Sequence, residues 1–165
     1  MTETLAASTT VAAPPEAVFA VLADPTTHPA LDGTGWVVKA LDEEPLTGCD
    51  QVFRMGMYHR NHPDGNYEMA NRVTVFEPAR AIAWEPGQDG PDGERRFGGW
   101  IWRYDLVPDG PAGTAVTLTY DWSAVPQVIR EYLRFPPFGP EHLTDSLHHL
   151  AELVTSTSPA PAPRS

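Results

Sequence analysis

The clearest hydrophobic pattern in this sequence lies in the segment from Pro140 to Val154. Apolar residues recur there at spacings of four, three and four positions, at Leu143, Leu147, Leu150 and Val154. This spacing lays one apolar stripe along a helix of about four turns. The pattern therefore predicts a long amphipathic helix, from about Glu141 to Val154, that buries one face.

The residues before this helix show the composition and alternation typical of β-strands. Seven strands are predicted, at residues 5–12, 36–42, 51–59, 67–76, 80–85, 99–107 and 114–122. Clusters of glycine, proline and aspartate separate them, including the run from Pro86 to Gly93. Such clusters form tight turns, so the strands are expected to pair as successive antiparallel hairpins.

Two short helices are predicted after the first strand. Pro14 and Pro15 suit a first helical turn, Asp24-Pro25 ends that helix, and residues 26–31 form a second turn. A long amphipathic helix that follows a run of strands can bury its apolar face by packing on the concave face of the sheet. The fold class is therefore α+β, with a seven-stranded antiparallel sheet wrapped around the C-terminal helix.

The composition narrows the class of protein. The 165 residues fit one domain, predicted as residues 1–154, and the low-complexity segment 155–165 is predicted to be disordered. A formal charge of -11 would repel phosphate backbones and anionic lipid headgroups, so neither nucleic acid nor membrane is an expected partner. There is no leader pattern and no apolar run of ~20 residues, which favours a cytoplasmic location. The single Cys49 argues against a thiolate metal cluster and is expected in a turn or at a strand edge.

Strand parity predicts which side chains face the helix, because alternate residues point to opposite faces of a sheet. In residues 67–75 the odd positions are mostly apolar, so Asn71, Val73 and Val75 are expected to point inward. Arg54 and Arg103 are expected on the outer face, paired with carboxylates. The inward set includes many large apolar side chains, and with two helix residues it forms the predicted ligand-binding set: Met55, Met57, Tyr67, Met69, Trp84, Trp100, Trp102, Tyr104, Trp122, Leu143 and Leu147.

This aromatic surface has two interpretations. An apolar wall with a few polar groups is typical of a small-molecule site. Large aromatic side chains on a strand are also ordinary core residues. Large rings on three adjacent predicted strands favour the cavity.

Several strings in this order resemble one family. TTVAAPPEAVFAVLADPTTHPAL, FEPARAIAW and WRYDLVPDGPAGTAVTLTYDW are similar to segments of the bacterial polyketide cyclase/dehydrase-like branch of the START/Bet v 1 (SRPBCC) superfamily. The resemblance covers about Leu5 to Val154 and implies the helix-grip fold. Members include aromatase/cyclases and carriers of lipids and hormones, so the resemblance implies a hydrophobic ligand without choosing an activity.

Two polar residues near the second short helix are candidate catalytic residues. His28 and Asp32 are four residues apart, which would place them on one helical face and could raise the pKa of the imidazole. The string HPALDGTG also resembles a segment of the family branch. A catalytic role is one interpretation. The favoured one is structural, with Asp32 ordering the following turn and His28 bonding a backbone group.

Other polar groups are expected at the inward tips of the strands. His59, Asn71 and Tyr120 are the catalytic candidates, because histidine and tyrosine pass protons and asparagine can hold a carbonyl or enolate oxygen. Each could instead satisfy a buried partner. The histidines of the last helix are expected to face solvent, with only His142 near the mouth of the cavity. No metal site and no cofactor are expected.

Two functions follow from this interpretation. One is a cofactor-independent cyclase or dehydratase that acts on a hydrophobic, aromatic or polyketide-like substrate of secondary metabolism. The other is a non-catalytic carrier or sensor of an apolar metabolite. A polar pair that converges deep in the cavity would favour catalysis, and an entirely apolar floor would favour carriage. The sequence leaves open whether the protein is a monomer or a homodimer.

Overall fold

A computed structural model describes residues 3–31, 37–58, 66–89, 94–131, 135 and 141–157 of the chain. The helices are α1 (Pro15–Leu22), α2 (His28–Leu31), α3 (Gln127–Arg130) and α4 (Glu141–Thr157), with a 3₁₀ turn at Pro25–Thr27 before α2. The strands are β1 (Thr4–Val11), β2 (Val37–Ala40), β3 (Val52–Tyr58), β4 (Asn66–Glu77), β5 (Ala81–Asp89), β6 (Arg95–Phe97), β7 (Ile101–Pro108) and β8 (Thr114–Asp121).

The strands form one antiparallel sheet in the order β1-β8-β7-β5-β4-β3-β2, with β6 paired to β5. This confirms the α+β prediction and all seven expected strands. The structure adds β6 and extends β5 to Asp89, where the sequence predicted only turn residues. Gly87 pairs with Phe97, and a Cβ atom at Gly87 would lie 2.6 Å from the Phe97 ring. Because Gly87 has no side chain, the Phe97 ring can pack against the backbone of β5 at this position. The strand can therefore continue through the glycine.

Helix α4 buries its predicted stripe completely. Leu143, Leu147, Leu150 and Val154 are each at most 2% exposed. They join the core formed by the helix-facing side of the sheet, called here the inner face. The helix continues three residues past Val154, into the segment predicted to be disordered. Thr155 donates its hydroxyl to the Ala151 carbonyl oxygen at 2.8 Å, the i−4 back-bond that threonine makes within helices.

The expected alternation of β4 fails at one position. The β4–β5 register shifts between Val73 and Val75, so that Phe76 rather than Val75 lies opposite Ile82. Phe76 packs edge-on against Phe19 with ring centroids 5.2 Å apart. The inward assignment of Val75 was therefore wrong. A β-bulge inserts one residue and reverses the parity beyond it.

The outer face carries ion pairs, as expected. Arg54 bonds Asp42 at 3.0 Å, and Arg103 bonds Asp105 at 3.0 Å. The pKa of Asp42 is lowered, chiefly by its hydrogen bond from Arg54. Cys49 is exposed and lies in a turn, also as predicted. Arg54 and Arg103 alternate with inner-face side chains along β3 and β7, so their ion pairs do not contribute to an internal site.

Candidate functional site

The inner face has one end at which several large side chains are only partly buried. This is the end at which β3, β5 and β8 finish and β4 and β7 begin. The first turn of α4 lies at the same end, because the His142 ring is 5.5 Å from the Trp102 ring. We call this end of the molecule the open end.

Beside Trp102, on the strands towards β3, the inner face is closed by an inner aromatic cluster made of His28, Phe53, Trp84 and Tyr104. All four are at most 8% exposed. Ring centroids lie 4.9 Å apart for His28 and Trp84, 5.7 Å for Phe53 and Trp84, and 5.9 Å for Trp84 and Tyr104. Such offset and edge-on contacts are those that aromatic rings prefer in a packed core. These side chains fill the space between α2 and the sheet.

His28 is held as a neutral, structural group. Its Nε2 atom lies 2.9 Å from the Leu22 carbonyl oxygen, and a carbonyl can only accept, so Nε2 carries the proton. Burial lowers the pKa of His28 to about 4, against smaller raising effects of the Leu22 bond and Asp24. The bond satisfies a carbonyl in the last turn of α1. This geometry favours the structural interpretation of His28 that the sequence suggested.

Asp32 and His59 lie outside the described residues, as does Trp36. The predicted pairing of His28 with Asp32 therefore stays a prediction. The same holds for a catalytic role of His59.

At the open end lies a second group of rings, which we call the mouth cluster: Trp100, Trp102, Tyr120, Trp122 and His142. The Trp102 and Tyr120 centroids are 4.6 Å apart, and those of Tyr120 and Trp122 are 5.8 Å apart. Trp102 lies opposite Tyr120 across β7 and β8, and opposite Trp84 across β5 and β7. The prediction that large rings on three adjacent strands share the inner face is confirmed.

Trp100 reaches its place because two glycines precede it. A Cβ atom at Gly98 would lie 1.9 Å from the Trp100 ring, and Gly99 has φ +95°, a left-handed conformation that favours glycine. On its other side Trp100 packs against Phe135 at 5.6 Å. The Gly98-Gly99 pair thus fixes one wall of the mouth cluster.

Burial separates the predicted ligand-binding residues into two sets. Half-buried are Met57, Tyr67, Met69, Trp100 and Trp102, all at or near the open end. Buried are Met55, Trp84, Tyr104, Trp122, Leu143 and Leu147. The first set could contact a bound molecule directly, whereas the second forms the floor and core beneath it.

Tyr120 is nearly enclosed, at 2% exposure. Burial raises the pKa of its phenol, which is therefore protonated at neutral pH. In this state the phenol can donate a hydrogen bond and is a poor base.

Asn71 lies on the inner face of β4, opposite Phe53 and Pro86, and is 6% exposed. Its Nδ2 atom is 3.5 Å from the Phe53 carbonyl oxygen, the long limit for a hydrogen bond. Strands β5 and β7 lie between Asn71 and Tyr120. At a strand spacing of about 4.8 Å the two residues are separated by roughly 14 Å along the sheet. The prediction that Asn71, with His59 or Tyr120, orients a carbonyl-bearing guest therefore needs a guest long enough to reach both strands, and it stays a prediction.

His142 corrects the prediction that the histidines of the last helix face solvent. It is 6% exposed, and Ser146, one turn further along α4, is 4% exposed. His149 is half-buried, and its Nδ1 lies 3.1 Å from the Leu31 carbonyl oxygen; only His148 is exposed. The helix packs between the sheet and α2, so its buried face is wider than the leucine stripe. Residues 142, 146 and 149 are spaced four and three positions apart, so they lie on one side of the helix beside the leucine stripe. This spacing in the sequence could have indicated a wider buried face.

A surface groove of about 570 Å³ lies elsewhere, between the start of α1, the turn after β4 and the end of β7. Its charged lining residues are Glu16, Glu77, Arg80, Arg103 and Asp105. The Arg103 guanidinium is already bonded to Asp105, and this bond is the largest cause of its raised pKa. A groove with such a lining does not suit the hydrophobic guest that the inner face suggests.

Two further observations concern the described residues. No helix among them is long and apolar enough to cross a membrane. Within the same ranges, no three histidine, cysteine or acidic side chains come together as metal ligands would.

An antiparallel sheet that encloses a C-terminal helix, with two short helices after its first strand, defines a helix-grip protein. The chain belongs to the family described as polyketide cyclase / dehydrase and lipid transport, whose model matches residues 2–155. This confirms the resemblance noted in the sequence. Membership of this family supports a hydrophobic ligand-binding role.

Among curated proteins, the chain is 31% identical over 128 residues to an uncharacterized protein of Mycobacterium tuberculosis strain H37Rv. The match covers 78% of this chain and 51% of the relative, so the chain spans about half the length of the curated relatives it matches.

Solved structures confirm the fold. A Mycobacterium smegmatis protein, Ms6760, aligns with TM-score 0.65 and 17% identity over 94% of this chain and 93% of its own. Norcoclaurine synthase from Thalictrum flavum, solved with dopamine and hydroxybenzaldehyde, aligns with TM-score 0.63 and 14% identity over 97% of this chain and 90% of its own. At these identities the similarity is one of fold.

Proposed function

We propose that the protein binds a flat hydrophobic molecule, aromatic or polyketide-like, at the mouth cluster and acts on it as a cofactor-independent cyclase or dehydratase of secondary metabolism. The observation that carries this proposal is the contrast in burial along the inner face. The inner aromatic cluster is closed, while Met57, Tyr67, Met69, Trp100 and Trp102 keep exposed apolar surface. Partly exposed apolar side chains along one end of a sheet are typical of a binding site.

The polar groups near this surface suit oxygen-bearing guests. The buried amide of Asn71 has one long hydrogen bond to Phe53 and retains capacity to bond a carbonyl oxygen. The protonated phenol of Tyr120 belongs to a ring that packs against Trp102 at 4.6 Å, and it is suited to donate rather than accept a proton. A dehydration or an aldol-type ring closure needs such donors to stabilise negative charge on oxygen.

A second function, a non-catalytic carrier or sensor, is favoured by a separate observation. Most of the inner face consists of apolar side chains, and the two tyrosines of the floor, Tyr104 and Tyr120, are nearly enclosed. The family description also includes lipid transport. A carrier would hold its guest on the same mouth cluster without changing it.

Native mass spectrometry of the purified protein tests both functions. We expect a co-purifying hydrophobic molecule, released on denaturation, that carries aromatic rings or several ketone groups. Titration with 2-naphthol, followed by tryptophan fluorescence, provides a defined probe, because three of the mouth-cluster rings are indoles. A protein that neither retains a small molecule nor changes its fluorescence with 2-naphthol would contradict the proposal.

A further inference from the structure

The two edge strands of the sheet, β1 and β2, differ in how they are protected. Strand β2 has four residues, carries Lys39, and has an irregular register with β3 between Val37 and Lys39. A short length, a lysine and a bulge are features that keep an edge strand from pairing with another chain. Strand β1 has eight residues, no charged side chain and no proline, and it pairs with β8 in an unbroken register. The β1 edge therefore lacks the protection that β2 has.

The backbone of β1 alternates between its two sides. Trp122 donates its N–H to the Glu3 carbonyl oxygen at 3.0 Å, and this pair continues the β1–β8 register. Because antiparallel strands exchange hydrogen bonds at every second residue, the odd-numbered residues of β1 bond to β8. Within the described ranges β8 is the only strand paired with β1. The residues whose N–H and C=O groups point to the free edge are Thr4, Ala6, Ser8 and Thr10, and all four are exposed.

The middle of this edge is uncharged. On the outer face, the β8 partners of Ala6 and Ser8 are Thr119 and Thr117. Acidic groups lie at the two ends of β1, where Asp121 is opposite Thr4 and Asp109 accepts a bond from the Thr10 hydroxyl at 3.4 Å. Two copies of a chain with a formal charge of -11 repel each other. An uncharged edge is where a second copy can approach at low electrostatic cost.

We propose that β1 is a dimer interface, at which it pairs antiparallel with β1 of a second copy of this chain. A strand can pair with its own copy about a two-fold axis, which closes the assembly at two subunits. With Ala7 opposite Ala7 of the partner subunit, Thr4 lies opposite Thr10 and Ala6 opposite Ser8. This register keeps the inner faces of both copies on one side of the sheet. It also bonds every outward N–H and C=O group of β1, so one continuous sheet runs through both copies.

Analytical ultracentrifugation from micromolar to millimolar protein tests the proposal. We expect a monomer that converts to a dimer as the concentration rises. Because both copies are acidic, added salt screens their repulsion and should strengthen the dimer. A protein that stays monomeric over this range, or a dimer that salt dissociates as it would a contact held by ion pairs, would overturn the proposal.

The variant Ala6→Pro removes one outward N–H from each copy. This N–H is not part of the β1–β8 ladder, so the variant should fold, with a free energy of unfolding in urea close to that of the wild type. The dimer loses two hydrogen bonds, and dimerisation should weaken by about tenfold or more. The matched control is Ala6→Val, which keeps the N–H and should dimerise as the wild type does. A folded proline variant with unchanged dimerisation would place the interface elsewhere.

Amide hydrogen exchange of the unaltered protein, followed by NMR, does not depend on any variant. In dilute protein the amides of Ala6 and Ser8 should exchange rapidly, while those of Leu5 and Ala7 are protected by β8. In concentrated protein the amides of Ala6 and Ser8 should become protected too. A dimer in which they still exchange rapidly would exclude β1 from the interface. Protection that appears only when a synthetic peptide rich in lysine and valine is added would assign the edge to a different partner and overturn the role of the second copy.

Discussion

The imidazole of His28 stacks on the indole of Trp84, with ring centroids 4.9 Å apart and an interplanar angle of 24°. The same imidazole donates from Nε2 to the Leu22 carbonyl oxygen at 2.9 Å. One side chain thus joins the end of α1 to the inner face of β5. This relationship makes His28 a part of the core that can respond to pH.

The first prediction concerns acid stability. The pKa of His28 is about 4 in the folded protein and 6.5 as its ordinary value, so the unfolded chain binds more protons between these two values. The free energy of unfolding therefore falls as the pH is lowered from about 6.5 to 4, by about 3 kcal/mol in total from this group. Urea denaturation at several pH values measures it.

The control for this prediction is His28→Asn, which has no titrating group in this pH range. The variant should be less stable at pH 7 because it loses ring packing against Trp84. Its stability should change less than that of the wild type between pH 6.5 and 4. Equal pH dependence in both proteins would show that His28 is not the responsible group.

The second prediction compares two tryptophans that lie opposite one another on adjacent strands. Trp84 is 8% exposed and belongs to the inner aromatic cluster, whereas Trp102 is half-buried in the mouth cluster. Trp84→Ala should lower the free energy of unfolding by about 3–5 kcal/mol. Trp102→Ala should cost less stability but weaken 2-naphthol binding by about tenfold, which is ~1.4 kcal/mol.

Chemical denaturation and fluorescence titration of both variants test this comparison. The reverse result, with affinity lost at a folded Trp84 variant and kept at the Trp102 variant, would place the site in the inner aromatic cluster instead.

The third prediction concerns the glycine pair before Trp100. In Gly98→Ala the new methyl group would overlap the Trp100 ring, so the ring must leave its present position and its packing against Phe135 must change. We expect a loss of about 1–3 kcal/mol in the free energy of unfolding and weaker 2-naphthol binding. Gly48→Ala is the matched control, because a Cβ atom at Gly48 meets nothing within 4 Å. Unchanged binding in a folded Gly98 variant would exclude Trp100 from the site.

The fourth prediction separates two roles of Asn71. If its amide bonds an oxygen of the guest, Asn71→Leu should leave the melting temperature nearly unchanged or raised, because the free protein loses a buried polar group with one long bond. Binding of a ketone such as 2-tetralone should then weaken by about tenfold, or ~1.4 kcal/mol. Calorimetry and binding titration on this one variant give both quantities.

Glu68→Gln is the control for Asn71, since Glu68 is exposed on the same strand. A variant of Asn71 that is destabilised by about 1–3 kcal/mol and binds 2-tetralone normally would assign the amide to the core.

The sequence by itself determined the elements and the side of the sheet on which most side chains lie. The leucine stripe of α4, the alternation in β7 and β8, and the turn residues between strands all depend on local periodicity, which the order of residues contains directly. For this reason Trp84, Trp102 and Tyr120 were correctly placed on one face. The family strings added the helix-grip arrangement.

Tertiary structure alone decided where that face is closed and where it stays open. The bulge in β4 moved Phe76 rather than Val75 into the core, and a parity rule cannot detect an inserted residue. Helix α2 closes the inner aromatic cluster over Phe53 and Trp84. The first turn of α4 brings His142 to Trp102, forty residues away in sequence. Such contacts depend on how separate elements pack together, and no local pattern of hydrophobic residues specifies them.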